Sequence, residues 1–309
     1  MGRHLLKRAP MIKDAIGRVK NTFTCGVTWG RSRPLSEAVF HALTGRALIR
    51  LDGDETADFL QDLITASVTD LAPGSVRQAA LLTPQGRILV DLLISHDETG
   101  FTLECDRSQR DGLARKLKLY RLRRAIDITL DDRAVHAVEG GCDGILTDPR
   151  FPIPVGRLYG DAPAEPTADT DQWRRLRWHH GIAEGEAELP PEKALPLECR
   201  LDLDDGISFE KGCYIGQEVT ARTRYRGLVK RSYAPVRIDG AITAPATIKV
   251  DRRDAGTVFA ALPDGDGMLG LASIRLEYLH DDDASLMADD TRLEPFLPER
   301  LLPLPGGKD

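Results

Sequence analysis

Two apolar runs, residues 78–82 and 87–95, are separated by only four residues, Thr83-Pro84-Gln85-Gly86. A link that short lets two strands pair only antiparallel, because a parallel return needs a crossover of a dozen or more residues. The two runs are therefore predicted to form one hairpin. Residues 47–51, 101–105 and 126–130 also have strand character. Between them lie two helical patterns. Asp54 can cap a helix carrying Ala57, Leu60 and Ile64, and Ser108 precedes one carrying Leu113, Leu117 and Tyr120. Hairpins interleaved with helices imply an α+β domain and argue against a doubly wound parallel sheet. No glycine-rich phosphate loop marks a nucleotide site.

Farther along, residues 160–170 read as a flexible loop. A helix is expected from about Asp171, carrying Trp173, Leu176 and Trp178 and stopped by Gly181. Residues 190–197 are proline-rich and extended. From about Tyr233, short alternating segments separated by Gly, Asp and Pro predict a small antiparallel barrel or sandwich. The expected division is a basic tail over 1–33, an α+β region over 34–232 in two subdomains, and a C-terminal β-barrel over 233–309.

Composition narrows the function. The net charge of -6 argues against bulk nucleic-acid binding. No apolar run approaches the roughly 20 residues of a membrane-spanning helix. The five cysteines (Cys25, Cys105, Cys142, Cys199 and Cys213) are odd in number and widely spaced, so neither a disulfide framework nor a self-sufficient metal-ligand set is expected. Residues 1–34 hold eight Lys/Arg and a single acid, Asp14. Such a tail suits an organellar transit peptide, a bacterial tail or an unused upstream start. The bacterial, cytoplasmic reading is favoured. The mitochondrial matrix is the alternative if 1–33 is a transit peptide.

Chemistry concentrates in residues 206–231. From Lys211 onward this stretch carries six cations against one acid, Glu218, a local reversal of sign suited to an anionic ligand or an acidic partner face. Gly212 and Gly216 flank Cys213 and permit a tight turn or a close approach. Lys211, two residues away, is expected to favour the thiolate. A helix from Gln217 would place Glu218 and Arg222 at i,i+4. The plainer reading is that a lone cysteine is a small buried hydrophobe and a charge run a solvated face.

The string Lys211-Gly-Cys-Tyr-Ile-Gly-Gln-Glu218 closely resembles the signature of the YgfZ branch of the GcvT-like folate-binding family, whose eukaryotic relatives act in mitochondrial iron–sulfur assembly. Weaker matches follow in the family's order: Arg46-Ala-Leu-Ile-Arg50, Phe59-Leu-Gln61 through Thr65, Leu82-Thr-Pro-Gln-Gly86, Tyr120-Arg-Leu-Arg123, Asp148-Pro-Arg150, Gly181-Ile182 and Pro196-Leu-Glu198. Together they span roughly residues 44–275. The resemblance implies GcvT-like folate-binding domains around a central cavity, followed by the barrel. It also implies tetrahydrofolate or a one-carbon derivative as cofactor, with Glu198 on the pterin and Arg231, or Lys230 beside it, on the glutamyl tail. Trp178, Asp91 and Tyr120 join as further cofactor-site candidates, and Cys213 with Lys211 as the reactive pair. Where aminomethyltransferases of this family carry paired aspartates, this chain reads Val90-Asp91, which weakens glycine-cleavage chemistry. The implied function is assembly or repair of [4Fe-4S] clusters. Its partners would be iron–sulfur assembly proteins and client enzymes, with no nucleic acid or membrane, and no permanently bound metal. The rivals are a folate-dependent aminomethyl or one-carbon transferase using Asp91 as base, and a folate-binding scaffold without chemistry.

Overall fold

The computed structural model describes residues 38–140, 144–162 and 169–305. The tail expected over 1–33 and most of the loop expected over 160–170 lie outside the described residues. The first half contains β1 (Val39–Ala42), β2 (Arg46–Asp52), α1 (Thr56–Gln61), β3 (Arg77–Leu82), β4 (Ile88–His96), β5 (Gly100–Asp106), α2 (Arg110–Tyr120) and β6 (Asp127–Asp131). Strands β3-β4-β5-β2-β6 form one antiparallel sheet. The predicted hairpin is β3–β4, with Gln78 opposite Leu93 and Ala80 opposite Asp91.

Side chains alternate across a strand, so Val90, Leu92 and Ile94 of β4 share one face. They pack with Phe59 and Leu60 of α1 and Leu113 and Leu117 of α2. Asp91 therefore points the other way, into the rest of the molecule. Cover on both faces explains why β4 reads as a nearly continuous apolar run.

The second sheet has the order β1-β7-β9-β8, built from β7 (Val135–Glu139), β8 (Leu146–Thr147) and β9 (Val155–Tyr159). Helix α3 (Thr170–His179) lies beside it. The Asp169 carboxylate caps α3 by accepting the Gln172 N–H at 2.7 Å.

Helix α4 (Gln217–Tyr225) follows, then β10 (Arg231–Asp239), β11 (Ala246–Val250), β12 (Arg253–Asp264), β13 (Gly267–Arg275), β14 (Leu286–Ala288) and β15 (Thr291–Pro295). These six strands close into a barrel of order β10-β13-β12-β11-β14-β15, which leaves no unpaired edge. The α+β region with a terminal barrel is as expected, and β10 begins two residues before the expected boundary. An apolar cluster ties the parts together, with Leu82 from the first sheet, Trp178 from α3, Leu197 and Tyr214 from the connecting segment, and Tyr233 and Leu271 from the barrel.

Candidate functional site

The signature loop is held from several sides. The Lys211 ammonium donates to the carbonyls of Gln61, Ile64 and Ala66 at 2.7, 2.6 and 2.8 Å, and lies 5.0 Å from the centre of the Tyr214 ring. The Thr65 hydroxyl donates to the Gly206 carbonyl at 2.7 Å, and the Ser208 N–H donates to the Thr65 carbonyl. Tyr214 and Ile215 then diverge. Tyr214 is buried in the inter-unit cluster, which pushes its phenol up to about 12, and Ile215 packs against the first-sheet core. Gly216 sits at φ +82°, where a Cβ would lie 2.6 Å from the Thr83 carbonyl oxygen. The β3–β4 turn presses directly on it, so only glycine fits. Gly212 is different: a Cβ there would meet nothing within 4 Å.

Cys213 is exposed on this pinned loop, whereas Cys105 and Cys199 are buried. Burial pushes the Cys105 thiol up to about 12 and the Cys199 thiol higher still. Among the described cysteines, Cys213 alone is presented to solvent.

Beside the loop, Arg87 follows the β3–β4 turn and Arg231 opens β10, and the positive charge of both acts on Glu198. The Glu198 carboxylate is half-buried, and no side chain hydrogen-bonds it among the described residues. Burial pushes its pKa up, against the pull of Arg231 and Arg87. Arg231 also pairs with Asp254 at 3.1 Å, while Lys230 is exposed. Arg87 is a residue that sequence reasoning missed. Its signal was a cation opening a strand that is otherwise apolar but for Asp91.

Four expected site residues need correction. Lys211 is a tether: its three N–H donors are taken by carbonyls, so it hydrogen-bonds the loop in place and not the Cys213 thiol. Trp178 is 1% exposed and belongs to the core cluster, because α3 turns it between the barrel and the first sheet. Tyr120, at the end of α2, lines a groove with Phe59 and Leu63 and joins neither Glu198 nor Cys213. Asp91 is 3% exposed and accepts from Arg46 at 3.3 Å and from the Gly185 N–H at 3.2 Å. The expected Glu218–Arg222 pairing is also absent among the described ion pairs. Both side chains project into solvent, where such a pair adds little.

Asp91 is part of a buried ionic network. Arg46, Arg150, Arg157 and Arg177 face Asp91, Glu104, Asp148, Glu184 and Glu188. Glu184 is its centre, accepting from Arg150 and Arg157 at 2.6 Å each, with Arg177 at 3.3 Å. Burial alone would raise the Glu184 pKa, but Arg157, Arg150 and Arg177 hold it well below the usual carboxylate range. Five carboxylates meet four guanidiniums. Asp91 is one that burial raises, despite Arg46.

The C-terminal part, residues 230–301, matches the family model described as CAF17, C-terminal beta-barrel domain. Over most of its length the chain is similar to curated iron–sulfur cluster assembly factors. The mitochondrial IBA57 homolog of Pyricularia oryzae is 32% identical, covering 79% of this chain and 73% of that protein. Mitochondrial IBA57 of Mus musculus is 33% identical (76% and 77%), and that of Homo sapiens 32% (81% and 78%). Among solved structures, the glycine cleavage system aminomethyltransferase T from Bartonella henselae superposes with a TM-score of 0.67, covering 86% of each chain at 12% identity. That likeness establishes the fold.

Proposed function

Because this chain belongs to the family of IBA57 iron–sulfur cluster assembly factors, we propose that it acts in iron–sulfur cluster assembly, with the Cys213 thiol as the group it presents to the cluster. The observation that carries this reading is an exposed thiol on a loop fixed by the Lys211 tether, the buried Tyr214 ring and the Gly216 contact. On binding iron the thiol loses its proton and its sulfur becomes a ligand. One sulfur cannot hold a cluster alone, so the remaining ligands come from an assembly protein or a [4Fe-4S] client. The exposed cations Arg222, Arg224 and Arg226 beside the loop suit an acidic face on such a partner. The test is complementation of a strain lacking the gene, reading [4Fe-4S] enzyme activity. Cys213→Ala is expected to lose most of the restored activity while keeping the wild-type melting temperature. Full restoration would sink the thiol role.

We further propose that a reduced folate binds beside the loop, at Glu198. An aminopyrimidinone edge offers two parallel N–H donors to the half-buried Glu198 carboxylate. The Arg231 guanidinium and the exposed Lys230 suit the glutamyl carboxylates, and Arg87 adds a third cation. When bound, the folate would supply one-carbon chemistry; the chain's own residues orient it. Glu198→Ala is expected to weaken tetrahydrofolate binding about tenfold or more by calorimetry, as loss of a charged bidentate contact does. Affinity of the wild type should fall as pH drops through the raised Glu198 pKa, because the protonated acid loses an acceptor. Equal affinity of wild type and variant would remove Glu198 from the site.

The engagement of the buried Asp91 carboxylate by Arg46 and the Gly185 N–H favours the assembly reading over the transferase alternative. The signature around Cys213 supports the narrower YgfZ-type assignment. The mitochondrial names of the relatives favour the organellar reading of residues 1–33 over the bacterial, cytoplasmic one. Fractionation of cells expressing a C-terminally tagged chain tests that choice.

A further inference from the structure

We propose that the groove between α1 and the loop after α2 is a docking site for an acidic polypeptide segment that inserts an apolar side chain. The groove is open to solvent with a volume of about 730 Å³, and Phe59, Leu63 and Tyr120 contribute to its lining. Its rim is net positive, with Arg121, Arg123 and Arg124 against Glu55 and Asp62, in a protein of net charge -6. Two rim arginines build the wall. Arg124 pairs with Asp62 at 2.7 Å and lies over the Phe59 ring, and Arg121 donates to the Ile126 carbonyl. Arg123 is exposed and forms no ion pair among the described residues. It is therefore available to a carboxylate from outside.

The backbone points the same way. Leu122 is held at φ +52°, a conformation that strains a residue with a Cβ, and its side chain is 81% exposed. Leu119, one turn earlier, is 70% exposed. Neither the strain nor the exposure of Leu122 serves the apolar core. Both make sense if the leucine closes over a bound side chain.

The occupant follows from shape and charge. The chain's own residues 1–34 carry eight cations and one acid, the wrong sign for this rim. A concave floor lined by Phe59 and Tyr120 suits an inserted side chain better than a flat lipid surface. The site also adjoins the signature loop, since the carbonyls of Gln61, Ile64 and Ala66 that hold Lys211 flank the groove residues Asp62 and Leu63. The proposal does not depend on Cys213 chemistry.

Fluorescence anisotropy with the full chain tests it. The probes are labelled acidic peptides of about a dozen residues with a central leucine, the same peptides with serine in its place, and basic counterparts. Phosphatidylserine-containing vesicles and a single-stranded oligonucleotide serve as competing anions. The acidic leucine peptide is expected to bind, with about tenfold loss on Leu-to-Ser exchange in the peptide and about tenfold loss on Arg123→Glu in the protein. Leu122→Gly should weaken binding while leaving the melting temperature unchanged or raised, because glycine accepts the positive φ. The proposal is overturned if no peptide binds, if basic peptides bind equally, or if both protein variants bind like wild type. It also fails if Arg123→Glu affects only vesicle or oligonucleotide binding, or if it abolishes self-association seen by sedimentation, which would assign the groove to a second copy.

Discussion

Glu184→Ala is expected to lower the unfolding free energy by about 3–5 kcal/mol, the range for breaking a buried ion pair by removing one partner. The reason is position. Glu184 receives Arg150 and Arg157 on one oxygen and faces Arg177 with the other, and all four side chains are buried. Removing it leaves guanidiniums facing one another where water cannot enter freely. Against a typical total of about 5–15 kcal/mol, that loss is a large fraction of what keeps a domain folded. Glu184→Gln should cost less, since the amide oxygen still accepts a guanidinium N–H, although its NH2 opposes another. Urea titration followed by fluorescence of the buried Trp173 and Trp178 would measure both variants. A loss below about 1 kcal/mol for the alanine variant would mean that the network behaves like a solvated surface cluster. The sign of the pH dependence is also set. A carboxylate whose folded pKa is depressed stabilises above its unfolded pKa, and that contribution is lost as pH falls through the folded value. For Glu184 the folded value lies well below the ordinary 4.5. Its contribution is therefore complete at neutral pH and disappears only in strong acid.

Lys211→Met should cripple the signature loop while leaving its thiol in place. Methionine approximates the length of the lysine stem but removes three N–H donors from the carbonyls of Gln61, Ile64 and Ala66. A buried polar group left unpaired costs about 1–3 kcal/mol, and the three carbonyls here are only partly buried. The expected loss is about 2–5 kcal/mol, concentrated locally. Cys213 alkylation should change rate, and [4Fe-4S] activity should fall, although the sulfur remains. Glycine variants supply internal controls. Gly216→Ala forces a Cβ to 2.6 Å from the Thr83 carbonyl oxygen at positive φ and should behave like Lys211→Met. Gly212→Ala enters open space and should leave stability within about 0.5 kcal/mol of wild type. If Lys211→Met kept wild-type alkylation and activity, the tether would be irrelevant to how the thiol is presented.

Much of the fold was legible because strands, hairpins and helices are written locally. The four residues between 78–82 and 87–95 force antiparallel pairing, and period-two or helical spacing marks the elements on either side. The signature around Cys213 was likewise readable as a string. Partners were less legible. Asp91 stood out as a candidate base, but its partners, Arg46 and Gly185, lie 45 and 94 residues away. Trp178 was one candidate to stack on a ligand, and α3 places it between the first sheet and the barrel.

What the sequence by itself determined is the set of antiparallel elements, a small barrel or sandwich from about Tyr233, and one unusual cysteine between two glycines. Each depends on the geometry of neighbouring residues. Only the tertiary structure decided that Lys211 grips carbonyls 145 to 150 residues away instead of the adjacent thiol. It alone assigned Gly216 to a contact with the β3–β4 turn and gathered eight other buried ionisable side chains around Glu184. A charged side chain is satisfied by whatever donors and acceptors folding brings within about 3 Å. Nothing in local periodicity encodes which ones those will be.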